Sequence, residues 1–337
     1  MRAIVYSETG DSDVLRLTDR PVPEPGPGEV RVRVVRSGVN PTDWKSRRGA
    51  LSHPEAVPNQ DGAGIVDAAG PGVTGVAPGD RVWLWEAAWG RPDGTAQEYV
   101  VLPARQVVPL PHGASLDLGA SLGIPALTAH RCLTVAEGGP DRLAPGALDG
   151  RTVLVAGGAG AVGNAAIQLA RWAGATVVTT VSGPEKAALA RAAGAHHVVN
   201  YRTGDPAAQI RAVAPEGADI VVEVAPGPNA VLDRAVTAPQ GVVAVYANNG
   251  GDDVALSVRE LFTRNIRYQF VLVYTVPEAV KDAAVADVRA AVEAGALRVG
   301  EEAGLPLHHF PLERTADAHD AVESGAVGKV LVDVAPE

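Results

Sequence analysis

Two different patterns of hydrophobic and polar positions follow one another along the chain. Over residues 1 to about 111 the apolar segments are short and alternate with polar residues, as in the EVRVRV sequence of residues 29–34, and turns rich in proline and glycine separate them. Such alternation is typical of strands with one face in water. This part of the chain is predicted to be a mostly antiparallel β domain.

From about residue 120 the pattern changes to an alternation of strands and helices. Helical patterns such as 163–173 and 184–193 separate continuous apolar runs, which are typical of strands buried on both faces and lie at 152–155, 175–181, 197–200, 219–224, 241–246 and 268–274. This alternation predicts a doubly wound α/β fold, in which helices cover both faces of a parallel sheet.

The domain boundaries follow from this change of pattern. We expect the α/β domain to span residues 123–274. A further helical pattern at 278–293 and a tail from residue 305, with a short strand, a helix and a final strand, are expected to return to the β domain. That domain is therefore predicted to be discontinuous, formed by residues 1–122 and completed by 275–337.

Composition narrows the classes of function. The 337 residues include 29 Lys and Arg against 39 Asp and Glu, and this net charge of -10 argues against broad electrostatic binding to nucleic acid or to an anionic membrane. No apolar run is long enough for a signal peptide core or a membrane span, so we expect a cytoplasmic protein. The single cysteine, Cys132, cannot form a disulfide framework within the chain or a zinc site with several thiolates.

A glycine-rich loop stands at the start of the α/β domain. Gly158, Gly160 and Gly163, with Ala161 and Val162 between them, form a G-x-G-x-x-G sequence that follows the first parallel strand directly and opens a helix. In that context the glycines allow a tight turn and let the backbone approach a pyrophosphate at the positive end of the helix. The sequence therefore predicts a dinucleotide site.

The end of the second parallel strand indicates which dinucleotide is bound. An NAD site usually carries Asp or Glu there for the ribose 2′-hydroxyl, whereas this strand ends in Thr-Thr-Val and then Ser182, with no acid. Lys186 in the next helix and Tyr201 after the third strand can reach a 2′-phosphate. We predict NADPH as the cofactor; for Lys186 alone, a solvated surface lysine is the alternative.

Four segments, in order, resemble the medium-chain dehydrogenase/reductase superfamily: residues 120–131, the 158–163 loop, residues 194–202 and the Gly-Lys-Val sequence at 328–330. The resemblance is greatest to the zinc-free quinone oxidoreductase branch that includes zeta-crystallin, and it extends from residue 1 to about 334. It implies a GroES-like catalytic domain, a Rossmann domain, and an active site in the cleft between them.

Zinc-dependent members of the superfamily hold their catalytic metal through Cys, His and Cys. The resemblance places Asn40, Gln60 and Ile124 at these positions. None of these residues supplies a thiolate or an imidazole, and the lobe with four structural cysteines is missing. The histidines show no metal-ligand spacing. We therefore expect no metal site.

The resemblance also assigns residues around the reacting ring. Asn40 is expected near the nicotinamide, where its amide could bind substrate oxygen or cofactor; a structural turn residue is the alternative. Thr42, in the same turn, is taken as a site residue with it. Thr128 resembles the threonine that packs against the nicotinamide ring, and an ordinary helical threonine is its alternative.

Two further segments are expected at the carboxyl end of the parallel sheet. Asn248 follows the fifth strand, where ligands bind in such sheets. The apolar run with Phe270, Val271 and Val273 is expected to hold the carboxamide through its backbone. It also corresponds to the sheet edge through which relatives dimerise, which implies a homodimer.

The sequence departs from its relatives at the expected proton donor. Many members carry a tyrosine a few residues after the Asn-Pro turn, and this chain has none there. Lys45 could donate a proton, although a solvated lysine is the simpler interpretation. Trp83, Trp85 and Trp89 lie close together in sequence and could form a flat apolar wall for an aromatic ring. Packing in a strand core explains Trp83 and Trp85 equally well, so Trp89, in a loop, is the better candidate for the pocket.

These observations predict an NADPH-dependent quinone oxidoreductase that transfers hydride without zinc. An electrophile that accepts hydride readily needs mainly positioning and charge stabilisation, and quinones meet that description. An enone or enal reductase, with a biosynthetic role, is the alternative within the same chemistry. From another class, a zeta-crystallin-like RNA-binding or structural role is the alternative, and the negative charge argues against RNA.

Overall fold

A computed structural model describes residues 1–49 and 51–337, and the chain divides into two compact units. The first, which we call the terminal unit, consists of Met1–Ile124 and Leu307–Glu337; the second, the central unit, is Pro125–Pro306. The β domain is therefore discontinuous, as expected, but its returning tail begins at Leu307. The predicted start of the tail at residue 275 is wrong.

Strands, α-helices and short 3₁₀ turns make up the regular structure of the described residues. In chain order, the strands are β1 (Arg2–Val5), β2 (Arg16–Asp19), β3 (Glu29–Val39), β4 (Asp61–Ala69), β5 (Arg81–Leu84), β6 (Tyr99–Pro103), β7 (Val107–Pro109), β8 (Thr152–Ala156), β9 (Thr176–Val181), β10 (His197–Asn200), β11 (Ala218–Glu223), β12 (Thr237–Val245), β13 (Arg267–Phe270), β14 (Leu307–Pro311) and β15 (Lys329–Asp333). The α-helices are α1 (Pro41–Arg48), α2 (Leu116–Leu133), α3 (Ala161–Trp172), α4 (Pro184–Ala192), α5 (Pro206–Val213), α6 (Pro226–Val236), α7 (Val258–Phe262), α8 (Glu278–Glu293) and α9 (Thr315–Glu323). Single 3₁₀ turns lie at Ser12–Val14, Ala104–Gln106, Val273–Thr275, Glu301–Ala303 and Leu312–Arg314. Within these described ranges no helix combines the length and the apolar character needed to cross a membrane.

Proline determines where several of these helices begin. Pro41, Pro184, Pro206 and Pro226 each occupy the first position of a helix. The fixed φ of proline suits that position, and its missing N–H costs no helical hydrogen bond there.

The terminal unit is built on a mostly antiparallel sheet in the order β14-β15-β3-β4-β5-β7, with β6 paired to β3. β3 is the centre of this sheet, because β4, β6 and β15 all pair with it antiparallel. Its alternating residues Val30, Val32 and Val34 are fully buried in the core. The period-two pattern of residues 29–34 therefore predicted the buried face correctly.

The central unit contains a sheet in which all paired strands are parallel, in the order β10-β9-β8-β11-β12-β13. The first strand of the unit lies in the middle and the order reverses beside it, as in a doubly wound nucleotide-binding fold. The predicted fold class is thus confirmed. The carboxyl ends of β8 and β11 form the switch point where such sheets bind ligands.

Two details of the central unit differ from the sequence-based expectation. The last strand ends at Phe270, and residues 273–275 form a 3₁₀ turn in which the Thr275 N–H donates to Leu272 O at 3.1 Å. Helix α8 belongs to this unit because its buried Asp287 accepts hydrogen bonds from His130 Nε2 at 2.8 Å and from the Leu143 N–H at 2.7 Å. His130 and Leu143 are both far from Asp287 in sequence. The helical pattern of residues 278–293 alone therefore did not show that α8 belongs to the central unit.

Candidate active site

The glycine loop of the central unit connects β8 to α3, and packing requires two of its glycines. A Cβ on Gly158 would lie 2.2 Å from Thr179 Oγ1, and one on Gly163 would lie 2.4 Å from Gly157 O. Neither distance is possible for a real side chain. These two positions therefore allow the loop and the helix to approach β9 and each other.

Gly160 has a different role, since it is the N-cap of α3 and its surroundings are open. A Cβ there would have Gly157 O, at 3.5 Å, as its nearest neighbour beyond the adjoining residues. The first N–H groups of a helix lack partners within the helix and carry its positive end. The loop and α3 thus form a cradle that fits a phosphate group of a nucleotide, and Ala161 and Val162 lie in the first turn of this helix.

The three residues predicted for a 2′-phosphate follow two neighbouring strands. β9 and β10 pair in parallel, and the Tyr201 N–H donates to Val181 O at 3.1 Å, so Tyr201 lies next to the end of β9. Ser182 comes directly after β9, and Lys186 is in the first turn of α4. The fold therefore brings these residues to one edge of the sheet.

The residues predicted around the nicotinamide differ in exposure, since Asn248 is exposed and Thr128 is buried. The Asn248 side chain donates to the Asp252 carboxylate, and Thr128 is buried within α2. The Val271 N–H donates to Val245 O at 2.7 Å, which continues the sheet by one bond beyond β13. A carboxamide would therefore have to use other backbone groups of this segment.

The terminal unit contains a cavity of about 440 Å³. Its walls include Tyr6, Asp43, Gln60, Trp89 and Arg91. Trp89 was predicted as a pocket wall, and the structure places it there. The tryptophan at 83 lies in β5 and the one at 85 directly after it, both fully buried, which agrees with the core alternative.

Three predicted residues of the Asn-Pro turn do not line this cavity. Asn40 is the N-cap of α1, and Thr42 and Lys45 lie on that helix, with Lys45 exposed to solvent. Lys45 Nζ lies 5.8 Å from the centroid of the Trp44 ring. Asp43, which the sequence analysis did not select, is the α1 residue that is both buried and part of the cavity wall.

A buried ion pair holds Asn40 in place. Asn40 Nδ2 donates to Asp61 Oδ2 at 2.7 Å, and Asn40 Oδ1 accepts from Lys329 Nζ at 2.7 Å. Lys329 Nζ also lies 3.6 Å from Asp61 Oδ2. All three side chains are almost completely shielded from solvent, at 3% exposure or less. Each amide atom of Asn40 thus already has one protein partner, and the side chain is fixed in orientation.

A kink in α2 completes this network. Gly123 has non-helical φ and ψ of -21° and -107°, and directly after it the Ile124 N–H donates to Asp61 Oδ1 at 2.8 Å. A Cβ on Gly123 would lie 2.0 Å from the same oxygen. Gly123 is therefore required for the approach of the carboxylate. A glycine two residues before Pro125 inside a helical pattern was the available sequence signal for a break.

Asp61 and Asp43 are the two carboxyl groups near Asn40, and their surroundings affect the pKa of each. Burial raises the pKa of Asp61 and lowers that of Lys329, while their mutual attraction opposes both shifts. Burial raises the pKa of Asp43 to about 8, and the Asp61 charge acts in the same direction. One ammonium compensates one carboxylate, so Asp43 remains protonated near neutral pH. Asp43 is consequently a neutral acid in the cavity wall.

The residues at the positions of a catalytic zinc do not fit that metal. Asn40 and Gln60 offer only amide groups, Gln60 Oε1 already accepts from the Ala88 N–H at 3.1 Å, and Ile124 has no donor atom. The Lys329 ammonium adds a positive charge beside Asn40. Within residues 1–49 and 51–337, no three His, Cys, Asp or Glu side chains are grouped so that they could hold a metal ion.

Comparisons with known proteins identify the family of this chain. Residues 26–112 match the model of the alcohol dehydrogenase GroES-like domain, and residues 161–288 match that of the zinc-binding dehydrogenases. A quinone oxidoreductase of Lama guanicoe is 31% identical over 341 residues, which cover 98% of this chain and 97% of that protein. The chain belongs to the quinone oxidoreductase family of the medium-chain dehydrogenases/reductases. It is therefore an oxidoreductase.

Solved structures of relatives show the same fold. An NAD-dependent alcohol dehydrogenase aligns with a TM-score of 0.85 and 31% identity over 99% of this chain and 100% of its own. A mycobacterial protein complexed with NADPH aligns with a TM-score of 0.81 and 28% identity over 98% and 99%. The resemblance inferred from the four sequence segments is thus confirmed. The matched family description names zinc, whereas this member's residues at the metal positions do not fit it.

The buried ion pair yields a prediction about stability. Replacing Lys329 by Met removes the positive charge, so Asp61 must either remain charged without a counter-charge or take up a proton. Breaking such a pair from one side is expected to lower the free energy of unfolding by about 3–5 kcal/mol. Unfolding in guanidinium chloride, followed by circular dichroism, measures this difference.

Lys45→Met is the matched control, because it removes an exposed lysine of the same unit. Its effect is expected to stay within about 0.5 kcal/mol. Adding Asp61→Asn to Lys329→Met should recover part of the loss, since the uncompensated carboxylate is then gone. Equal stabilities of the Lys329 and Lys45 variants would contradict the proposed importance of the pair.

Proposed function

We propose that this family member is an NADPH-dependent quinone reductase that works without zinc. The observation that carries the proposal is the cavity of the terminal unit, which combines an aromatic wall at Trp89 with polar groups such as the Gln60 amide and the Arg91 guanidinium. Flat aromatic surfaces suit a planar ring, and hydrogen-bond donors and a cation favour an oxyanion.

An aromatic wall and groups that stabilise negative charge are the main features that the expected reaction requires of the protein. When bound, the nicotinamide supplies a hydride. A quinone accepts hydride readily, so the protein has to orient the ring and to stabilise the negative charge that forms on its oxygen. Zinc independence rests on the donor set at Asn40, Gln60 and Ile124, which offers no thiolate or imidazole.

The choice of NADPH rests on the end of β9. The relatives alone do not decide it, since one is called NAD-dependent and another was solved with NADPH. A carboxylate that would bind a ribose 2′-hydroxyl and repel a 2′-phosphate is missing after β9. Ser182, Lys186 and Tyr201 offer instead two hydroxyls and one cation at the ends of neighbouring strands.

Stopped-flow absorbance with purified protein and NADPH tests the activity. We expect oxidation of NADPH by 1,4-benzoquinone and naphthoquinones, with a rate that is unchanged after treatment with a chelator. Tight NADPH binding without turnover of any quinone or enone would contradict a reductase role. Inhibition by the chelator, with recovery on adding zinc, would contradict the metal-free mechanism.

Lys186→Ala tests the assignment of the cofactor. Loss of a charge-assisted hydrogen bond to the 2′-phosphate is expected to weaken NADPH binding about 10- to 100-fold. NADH binding should change by less than a factor of about 3, because NADH lacks that phosphate. Fluorescence titration with both nucleotides measures the two constants, with Lys45→Ala as the control. Equal losses for NADH and NADPH would refute the assignment.

An enone or enal reductase is the second candidate, and the neutral Asp43 carboxyl in the cavity wall favours it. Reduction of an enone adds a proton next to the carbonyl as well as a hydride, so it requires an acid near the substrate. Relative kcat/KM for quinones and for enals of similar size separates the two activities. A clear preference for enals would replace the quinone assignment.

We also propose that two copies associate along β13. This strand stands at the end of the parallel sheet, and near it Phe270 is 61% and Leu272 is 53% exposed. Exposed apolar residues beside an unpaired strand edge favour pairing with another chain. Light scattering is expected to give twice the chain mass of 34.6 kDa.

Leu272→Asp should shift the protein to monomers, because it places a charge in the proposed interface. Val231→Asp is the control, since Val231 is 66% exposed on α6. A wild-type protein that elutes as a monomer would refute the proposal, as would a Leu272→Asp variant that remains dimeric.

A further inference from the structure

Tyr6 contributes a phenol to the cavity of the terminal unit. It lines this cavity together with Asp43 and Gln60, although it lies far from them in sequence. The side chain is largely buried, at 8% exposure. The sequence analysis found no tyrosine after the Asn-Pro turn, and the fold brings one to the cavity from the N-terminal segment.

The backbone of Tyr6 is held rigidly. Its N–H donates to Ala56 O and its carbonyl accepts from the Ala56 N–H, both at 2.9 Å. The preceding strand is fixed in turn, because the Ile4 N–H donates to Ala96 O at 2.9 Å. These bonds fix the backbone position from which the Tyr6 ring extends.

No hydrogen bond to another residue that the structure describes contributes to the pKa of the Tyr6 hydroxyl. A phenol donor without a protein partner is available to a molecule in the cavity. Burial raises the pKa of Tyr6, the Asp43 carboxyl acts in the same direction, and Arg47 opposes it. The phenol therefore carries its proton near neutral pH.

A cation in the same cavity favours negative charge on a bound acceptor. Arg91 lines the wall, and its Nη2 donates to Gln106 Oε1 at 2.8 Å and to Glu86 O at 3.3 Å. Gln106 is itself held by bonds from Nε2 to Trp85 O at 3.0 Å and Glu86 O at 3.1 Å. The guanidinium is thus fixed in place and remains charged.

We propose that the Tyr6 hydroxyl donates the proton that completes reduction of the acceptor in this cavity. The inference rests on the proposed reductase function. Hydride addition to a quinone leaves a hydroquinone monoanion. The O–H bond of Tyr6 then breaks, its proton forms an O–H bond on the product oxyanion, and the resulting phenolate takes a proton from water.

Other acids of the cavity are less suited to this transfer. Asp43 Oδ2 already accepts from the Asn40 N–H at 2.7 Å, and this bond fixes its carboxyl at the start of α1. His53 Nδ1 forms a hydrogen bond with the Ser52 hydroxyl oxygen at 3.0 Å. Lys45 does not line the cavity. Asp43 Oδ1 is a buried atom that also lacks a hydrogen-bond partner among the described residues, so Tyr6 and Asp43 are the two acids to be compared, and Asp43→Asn separates them.

Tyr6→Phe removes the hydroxyl and keeps the ring. General acid catalysis contributes about 10²–10⁴-fold, so kcat for quinone reduction is expected to fall by at least about 10-fold, with KM changed by less than a factor of about 3. Tyr99→Phe, in β6 of the same unit, is the matched control and should leave kcat unchanged. Thermal unfolding and NADPH titration verify that both variants are folded.

Tyr6→Ala gives a second readout that a structural role would not produce. It opens a space of the size of a phenol in the cavity wall, so added phenol should restore part of the lost kcat in this variant. The same phenol should not restore Tyr6→Phe, whose ring still fills the space. Asp43→Asn, assayed in parallel, reports on the competing acid.

The outcomes separate the two proposals. Loss of kcat in Tyr6→Phe with rescue of Tyr6→Ala by phenol supports the assignment. Full activity of Tyr6→Phe, or loss of activity only in Asp43→Asn, overturns it while the reductase function stands. A wild-type protein that reduces no acceptor overturns both, and this result is visible without any variant.

Discussion

The buried pair of Lys329 and Asp61 is the interaction on which the terminal unit depends. Taking an ammonium and a carboxylate out of water costs several kcal/mol for each ion, so neither group is tolerated without the other and without hydrogen bonds. Asn40 and the Ile124 N–H provide those bonds. The hydrogen bond from Lys329 to Asn40 joins the last strand of the chain to a turn 289 residues earlier.

This constraint determines much of the surrounding geometry. Gly123 has to be a glycine because the Asp61 carboxylate comes close to its backbone, and the kink at Gly123 places the Ile124 N–H on that carboxylate. Asn40 is fixed by the pair and begins α1, which carries Asp43 into the cavity wall. Burial raises the pKa of Asp43 to about 8, so this residue is a neutral acid near neutral pH. The ion pair modifies this shift from both sides, because the Asp61 charge raises the pKa of Asp43 and the Lys329 charge lowers it.

The proposed ligand sites of the two units are built in different ways. The central unit offers a phosphate cradle of backbone atoms, formed by consecutive residues between β8 and α3. The terminal unit offers side chains from the N-terminus, α1, the segment before β4 and the loop after β5. Backbone recognition leaves a local sequence signature, whereas a cavity assembled from distant segments does not. The glycine loop was accordingly visible in the sequence, whereas of the cavity residues only Trp89 and Gln60 were noted beforehand.

The sequence by itself determined the fold class, the family, the glycine loop after β8 and the residues at the positions that the resemblance assigns to zinc. Each of these depends on local pattern, on residue chemistry at a motif, or on several motifs in order. Only the tertiary structure decided that Tyr6 enters the cavity, that Lys329 neutralises Asp61, and that the tail begins at Leu307. These facts depend on contacts between residues far apart in the chain, and no periodicity or spacing records which distant side chains share one buried space.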